Sequence, residues 1–66
     1  IAASQVLRDA RQRSHLTRAE LGRRADVPQS VISAYESARR EPSVDMLARL
    51  VAAAGFDLRV GLAPAA

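Results

Sequence analysis

Arginine is the most abundant side chain here that could take part in chemistry. The 66-residue chain has ten Arg, no Lys, seven acidic residues, one His and no Cys. Without Cys, disulfides, zinc–thiolate sites and thiol nucleophiles are excluded. A lone His15 offers neither a metal cluster nor a paired nucleophile and base. We therefore predict no enzymatic activity, no metal and no cofactor.

The charge of the chain points to its partner. A net charge of +3 and a pI near 11.1 favour a polyanion, either nucleic acid or an anionic membrane. No apolar run approaches the roughly 18 residues of a membrane span, so we expect a cytoplasmic protein. A chain this short buries only about 60% of its unfolded surface, too little for a barrel or a deep cleft. We expect one domain over residues 1–66.

Four amphipathic segments must position these arginines. Apolar residues recur at helical spacing in four segments, and we predict a helix over each: residues 4–14, 18–25, from 28 or 29 to about 37, and 44–54. Ser4 and Ser43 are the expected N-caps of the first and fourth helices. Thr17 and Glu20 have the spacing of a capping box, and Gly55 is suited to end the last helix.

The end of the chain changes period. Phe56, Leu58, Val60 and Leu62 alternate with polar residues or Gly, the pattern of a β-strand over residues 56–62. No other segment resembles a strand, so we predict pairing with the same segment of a second copy, giving a homodimer. The alternatives are a frayed tail and a strand completed by sequence outside this chain. Since Ile1 is not an initiator Met, the chain could be part of a longer protein.

Residues 17–36 have the layout of two short helices joined by a tight turn. Gly22 is the small residue where the helices cross, and Asp26 is tolerant of the turn. The residues that carry a family likeness are Leu7-Arg8-x-x-Arg11, Leu16-Thr17-Arg18-Ala19-Glu20-Leu21-Gly22, Val27-Pro28-Gln29-Ser30-Val31-Ile32-Ser33, Glu36, Arg39-Arg40-Glu41-Pro42-Ser43 and Leu47. This pattern resembles the lambdoid repressor/Cro-like (xenobiotic-response-element) helix-turn-helix family. The resemblance implies an all-α, four-helix lambda-repressor-like DNA-binding domain with core 4–55, followed here by the short C-terminal strand.

The resemblance also implies roles for individual residues. The third helix would lie in the major groove of double-stranded DNA, and its outward side chains would read bases: Gln29, Ser30, Ser33 and Ala34. The expected phosphate contacts are Arg18, Ser37, Arg39, Arg40 and Ser43. The family pattern pairs Glu36 with Arg11 in a structural ion pair, and helical spacing from Ile32 makes Tyr35 a core residue.

Three positions depart from the family pattern. Glycine is usual where this chain has His15, Asp26 and Ala38, each at a helix end. His and Asp tolerate a positive φ better than most residues, whereas Ala does not. We therefore expect the turn after the third helix to be reshaped.

Three functions follow from these observations. The first is a bacterial repressor that binds an inverted-repeat operator as a homodimer. The second is the antitoxin of a type II toxin–antitoxin pair, which would bind a toxin protein and repress its own operon. Residues 54–60 resemble the ends of HipB-type antitoxins. The third, a membrane-surface or protein-interaction module, is disfavoured because a four-helix core consumes the apolar faces.

Overall fold

The computed structural model describes residues 2–59, which form four helices. These are α1 (Ala3–Arg13), α2 (Arg18–Ala25), α3 (Gln29–Glu36) and α4 (Val44–Ala53). The predicted helices are confirmed, with ends that differ by one residue at most. Within residues 2–59 no helix combines the length and apolarity that a membrane span requires.

One side chain from each helix fills the centre of the core. Leu7, Leu21, Ile32 and Leu50 are fully buried. α3 packs against α1 and α2, and α4 packs against the same two helices. Val44, the first residue of α4, is 63% exposed, whereas Met46 and Leu47 pack into the core.

Side-chain caps start two of the helices. Thr17 Oγ1 accepts from the Glu20 amide at 3.0 Å, and Glu20 Oε1 accepts from the Thr17 amide at 3.0 Å, which confirms the capping box. Ser43 Oγ accepts from the Met46 amide at 3.0 Å, as predicted for an N-cap. The predicted cap at Ser4 is wrong, because α1 begins one residue earlier, after Ala2.

All four helices end in the same way. A left-handed residue follows each helix, and the next amide donates back to a carbonyl five residues earlier, as in a Schellman motif. The left-handed residues and their φ angles are His15 (57°), Asp26 (57°), Ala38 (61°) and Gly55 (94°). The corresponding bonds run from Leu16 to Arg11, Val27 to Gly22, Arg39 to Ala34 and Phe56 to Val51. The expectation that Ala38 reshapes its turn is wrong: alanine adopts the left-handed conformation that glycine usually supplies.

The predicted C-terminal strand is wrong. Residues 56–59 form neither helix nor strand, and residues 2–59 contain no β-strand. The amide of Phe56 donates a hydrogen bond to Val51 O at the end of α4, and Leu58 packs against the helical core of its own chain. These contacts replace the strand pairing that the alternating pattern suggested. Val60 and Leu62, the other predicted dimer residues, lie outside the described residues.

Candidate nucleic-acid interface

A close backbone contact fixes the crossing of α2 and α3. The Val27 amide donates to Gly22 O at 2.9 Å. A Cβ added to Gly22 would lie 2.6 Å from Val27 O, far inside van der Waals contact. Only residues 26–28 separate the two helices, and left-handed Asp26 turns the chain between them. This is the geometry of a helix-turn-helix unit.

α3 presents a short polar face to solvent. Gln29 and Ser30 are exposed and Ser33 is half-buried, as expected for an outward arc. Ala34 was expected on that arc but is only 8% exposed. The chain after α3 folds back at this point, since the amides of Arg39 and Arg40 donate to Ala34 O. Of the four side chains expected on the outward arc, Gln29, Ser30 and Ser33 are therefore at least partly accessible to solvent.

The inward end of α3 carries a buried carboxylate that binds two arginines. Arg11 Nε donates to Glu36 Oε2 at 2.7 Å, and Arg11 Nη2 donates to Glu36 Oε1 at 3.0 Å. Arg18 Nε donates to the same Oε1 at 3.1 Å. The side chain of Glu36 is 1% exposed, against 13% for Arg11 and 45% for Arg18. The predicted Arg11–Glu36 pair is confirmed, and Arg18 joins it.

Glu36 is ionised at neutral pH. Burial acts to raise the pKa of Glu36, but the hydrogen bonds and charges of Arg11 and Arg18 outweigh it and lower that pKa. The same contact raises the pKa of Arg11. The cluster is therefore a charged one, with two guanidinium groups around one carboxylate.

The loop between α3 and α4 holds two more arginines near the end of α3. Arg39 Nε donates to Ser37 Oγ at 3.0 Å, and Ser37 Oγ donates to Ala34 O at 3.2 Å. The guanidinium of Arg40 lies 5.7 Å from the centroid of the Tyr35 ring, within reach of a cation–π contact. Both arginines are exposed. Tyr35 is 7% exposed, which confirms it as a core residue.

Two backbone amides at the start of α2 are free to bind a ligand. The capping box engages the amides of Thr17 and Glu20. Among residues 2–59, the amides of Arg18 and Ala19 have no hydrogen-bond partner. Donors of this kind at a helix N-terminus favour an anion, and the half-exposed guanidinium of Arg18 belongs to the same turn.

Two contacts near this surface could not be found from sequence spacing. Arg18 and Glu36 are 18 residues apart and meet only once α2 and α3 have crossed. Arg49 Nη2 donates to Ala25 O at 2.5 Å and so ties α4 to the end of α2. No local period links either pair, so only the folded chain shows them.

The tight turn and close crossing of α2 and α3 define the class as a helix-turn-helix domain. The sequence matches the helix-turn-helix family profile over residues 7–60, and the chain therefore belongs to that family, of the Cro/C1 type. It is a DNA-binding domain of a transcription regulator. Searches of curated proteins and of solved structures gave no match to the chain.

Proposed function

We propose that the protein is a sequence-specific transcriptional repressor that places α3 in the major groove of its operator. The observation that carries this proposal is the outward arc of Gln29, Ser30 and Ser33 on α3, in a domain whose exposed arginines from α2 and from the α3–α4 loop lie near the end of the same helix. Such an arc can enter the groove while the arginines lie against the phosphates on either side. A repressor bound at its operator keeps other proteins off that DNA, so repression requires no further activity. A protein whose partner is DNA would act in the cytoplasm.

Gln29 is the main base-reading residue in this proposal. It is exposed at the first position of α3, where a recognition helix contacts base edges. Its amide can pair with both N6 and N7 of adenine, and the hydroxyls of Ser30 and Ser33 can donate or accept. This is a small set, so the shape of the DNA would contribute to specificity as well.

The proposed phosphate contacts come from two elements next to α3. Arg18 and the free amides of the first turn belong to α2, and Arg39 and Arg40 belong to the loop that follows α3. Ser37 supports Arg39 through its hydroxyl oxygen. Ser43 accepts from Met46 through its hydroxyl oxygen, and its hydroxyl hydrogen can still donate to a phosphate.

Binding as a homodimer to an inverted repeat completes the proposal. One α3 with three reading side chains specifies few base pairs, and two copies about 34 Å apart would double the site. With six phosphate contacts, such a dimer would lose roughly 10³-fold in affinity between 50 and 200 mM salt. The antitoxin alternative relied on a C-terminal strand that residues 56–59 do not form. Nothing in the part of the chain that the structure describes therefore favours a toxin partner.

The test is selection from a random DNA library followed by fluorescence anisotropy on the enriched site. We expect an enriched inverted repeat, and a reporter carrying that repeat in its promoter should be silenced by the protein. Enrichment of single half-sites would refute the dimer, and no enrichment at low salt would refute sequence-specific recognition.

Variants separate reading from phosphate binding. Gln29→Ala should lower affinity for the selected site by about 1–3 kcal/mol and relax preference at one base pair. Arg39→Ala should weaken binding to all sequences equally and reduce the salt slope by about 0.9 per protomer. Arg13→Ala is the matched control, because it removes the same charge from an exposed residue bonded only to Asp9.

A further inference from the structure

We propose that Glu36 is a positioning residue for DNA binding, which holds Arg18 so that its two terminal amino groups meet one backbone phosphate. The inference rests on the proposed function and deepens it. It assigns to the buried carboxylate a role beyond its structural pair with Arg11, and it makes Arg18 a residue that binds protein and DNA at once.

The two arginines use their nitrogens differently. Arg11 engages all three: Nε and Nη2 bind Glu36, and Nη1 donates to Leu16 O at 2.9 Å. Arg18 engages Nε alone, and its Nη groups have no hydrogen-bond partner among residues 2–59. Arg11 is enclosed, whereas Arg18 is half-exposed. Arg11 therefore completes the fold, and Arg18 keeps two donor groups for a ligand.

The cluster also carries a surplus charge at Arg18. Two guanidinium groups and one carboxylate give the cluster a net charge of +1. Since Arg11 is bonded on all its nitrogens inside the protein, the uncompensated charge is presented by Arg18. The free amides of Arg18 and Ala19 belong to the same turn, so the surplus charge and the backbone donors would favour one anion together.

The planar shape of the guanidinium makes this double contact possible. One edge of Arg18 binds Glu36 through Nε, which leaves the Nη pair able to form the bidentate contact that suits a phosphate. A side chain that is already held loses less rotamer freedom when DNA binds. Lysine has a single ammonium group and could satisfy either Glu36 or the phosphate, but not both with this geometry.

Arg18→Lys is therefore the decisive variant. It keeps the charge, and because the side chain is half-exposed the protein should remain folded, which circular dichroism would verify. We expect Arg18→Lys to weaken binding to the selected DNA by about tenfold, close to the loss for Arg18→Ala. Arg13→Lys is the matched control, because the side chain of Arg13 is exposed on α1, and this variant should bind DNA like the wild type. Wild-type affinity for Arg18→Lys would overturn the proposal, because charge alone would then suffice.

A double-mutant cycle tests the route through Glu36. Glu36→Gln should weaken DNA binding in the wild-type background but have no further effect once Arg18 is Ala. Losses that multiply in the double variant would contradict the positioning role. If Glu36→Gln does not fold, Arg18→Lys alone decides the matter.

The outcomes separate this inference from the proposed function. If the wild-type protein selects no DNA sequence, or if Gln29→Ala changes no base preference, the proposed function fails. If selection succeeds and depends on Gln29 while Arg18→Lys binds normally, the protein reads DNA as proposed and only the positioning role of Glu36 is refuted.

Discussion

The backbone of Gly22 lies against the carbonyl of Val27, so that a Cβ on residue 22 would be 2.6 Å from that oxygen. The neighbour is backbone within the turn, which cannot rotate away as a side chain could. The same two residues are joined by the hydrogen bond from the Val27 amide to Gly22 O. A single residue without a side chain therefore determines how closely α3 approaches α2.

Gly22→Ala should destabilise the protein. The added methyl group must separate α2 from the turn, and overpacking of this kind costs about 1–3 kcal/mol. Urea denaturation followed by circular dichroism would measure the loss. Gly55→Ala is the comparison, because a Cβ there has no atom within 4 Å and the cost arises only from its φ of 94°. A Gly22→Ala variant as stable as the wild type would show that the turn can relax.

Ala38→Gly should stabilise the protein. Alanine at φ 61° carries the left-handed penalty of about 1–2 kcal/mol, and glycine does not. Glycine also gives the unfolded chain more conformational freedom, which lowers the gain in stability by about 0.4–1 kcal/mol. We expect a net gain near 0.5–1 kcal/mol by these values, seen as a higher urea midpoint with an unchanged slope. Ala48→Gly inside α4 is the control and should lose stability, by about 1 kcal/mol.

The ionisation of Glu36 should make the free energy of unfolding depend on pH in the acidic range. Because folding lowers the pKa of Glu36, its carboxylate contributes its full stabilisation at pH values above the pKa of the unfolded chain, about 4.3. That stabilisation is lost as pH falls through the lower, folded pKa. Glu36→Gln should cost about 3–5 kcal/mol at pH 7, and the difference from the wild type should shrink below pH 4 to 5. Unfolding free energies measured from pH 7 to pH 3 would give this curve.

A control is needed for that pH curve because Glu20 titrates in the same range. Its pKa is also lowered, chiefly by the hydrogen bond from the Thr17 amide. The difference between wild type and Glu36→Gln removes the contribution of Glu20, which both proteins share. A difference between wild type and Glu36→Gln that stays constant with pH would contradict a charged Glu36 in the folded state.

Two serines near helix starts should behave differently when replaced by alanine. Ser43→Ala removes the bond to the Met46 amide and should cost about 1 kcal/mol. Ser4→Ala should change stability by less than about 0.5 kcal/mol, since Ser4 is not the cap of α1. Thermal unfolding of the two variants side by side would measure both. Equal losses would mean that Ser4 has a role in α1 that its geometry does not show.

Sequence reasoning found what depends on local period and local caps. The helices, the capping box at Thr17, the cap at Ser43 and the small residue at Gly22 all follow from residues a few positions apart. It failed at Phe56 and Leu58, where an alternating pattern was outweighed by the end of α4 and by packing on the chain's own core. Such tertiary contacts have no signature in spacing.

The left-handed residue at position 38 shows a second limit. Intrinsic preference argued against alanine there, but the amides of Ala38 and Arg39 bond to the carbonyls of Tyr35 and Ala34 and hold the turn in place. The role of Arg18 shows a third limit, because its contact with Glu36 needs both helices in position. The first of these cases was decided by hydrogen bonds within one turn, and the second by a contact between residues 18 positions apart.

The carboxylate of Glu36 makes the folding of three helices cooperative. It lies at the end of α3 and is neutralised by Arg11 from α1 and Arg18 from α2. A partly folded chain with only α2 and α3 assembled would bury that charge with one of its two partners missing, which is strongly unfavourable. An excised fragment of residues 17–43 would therefore not fold on its own. The helix-turn-helix formed by α2 and α3 therefore cannot be moved into another protein without α1, which supplies Arg11 to the carboxylate of Glu36.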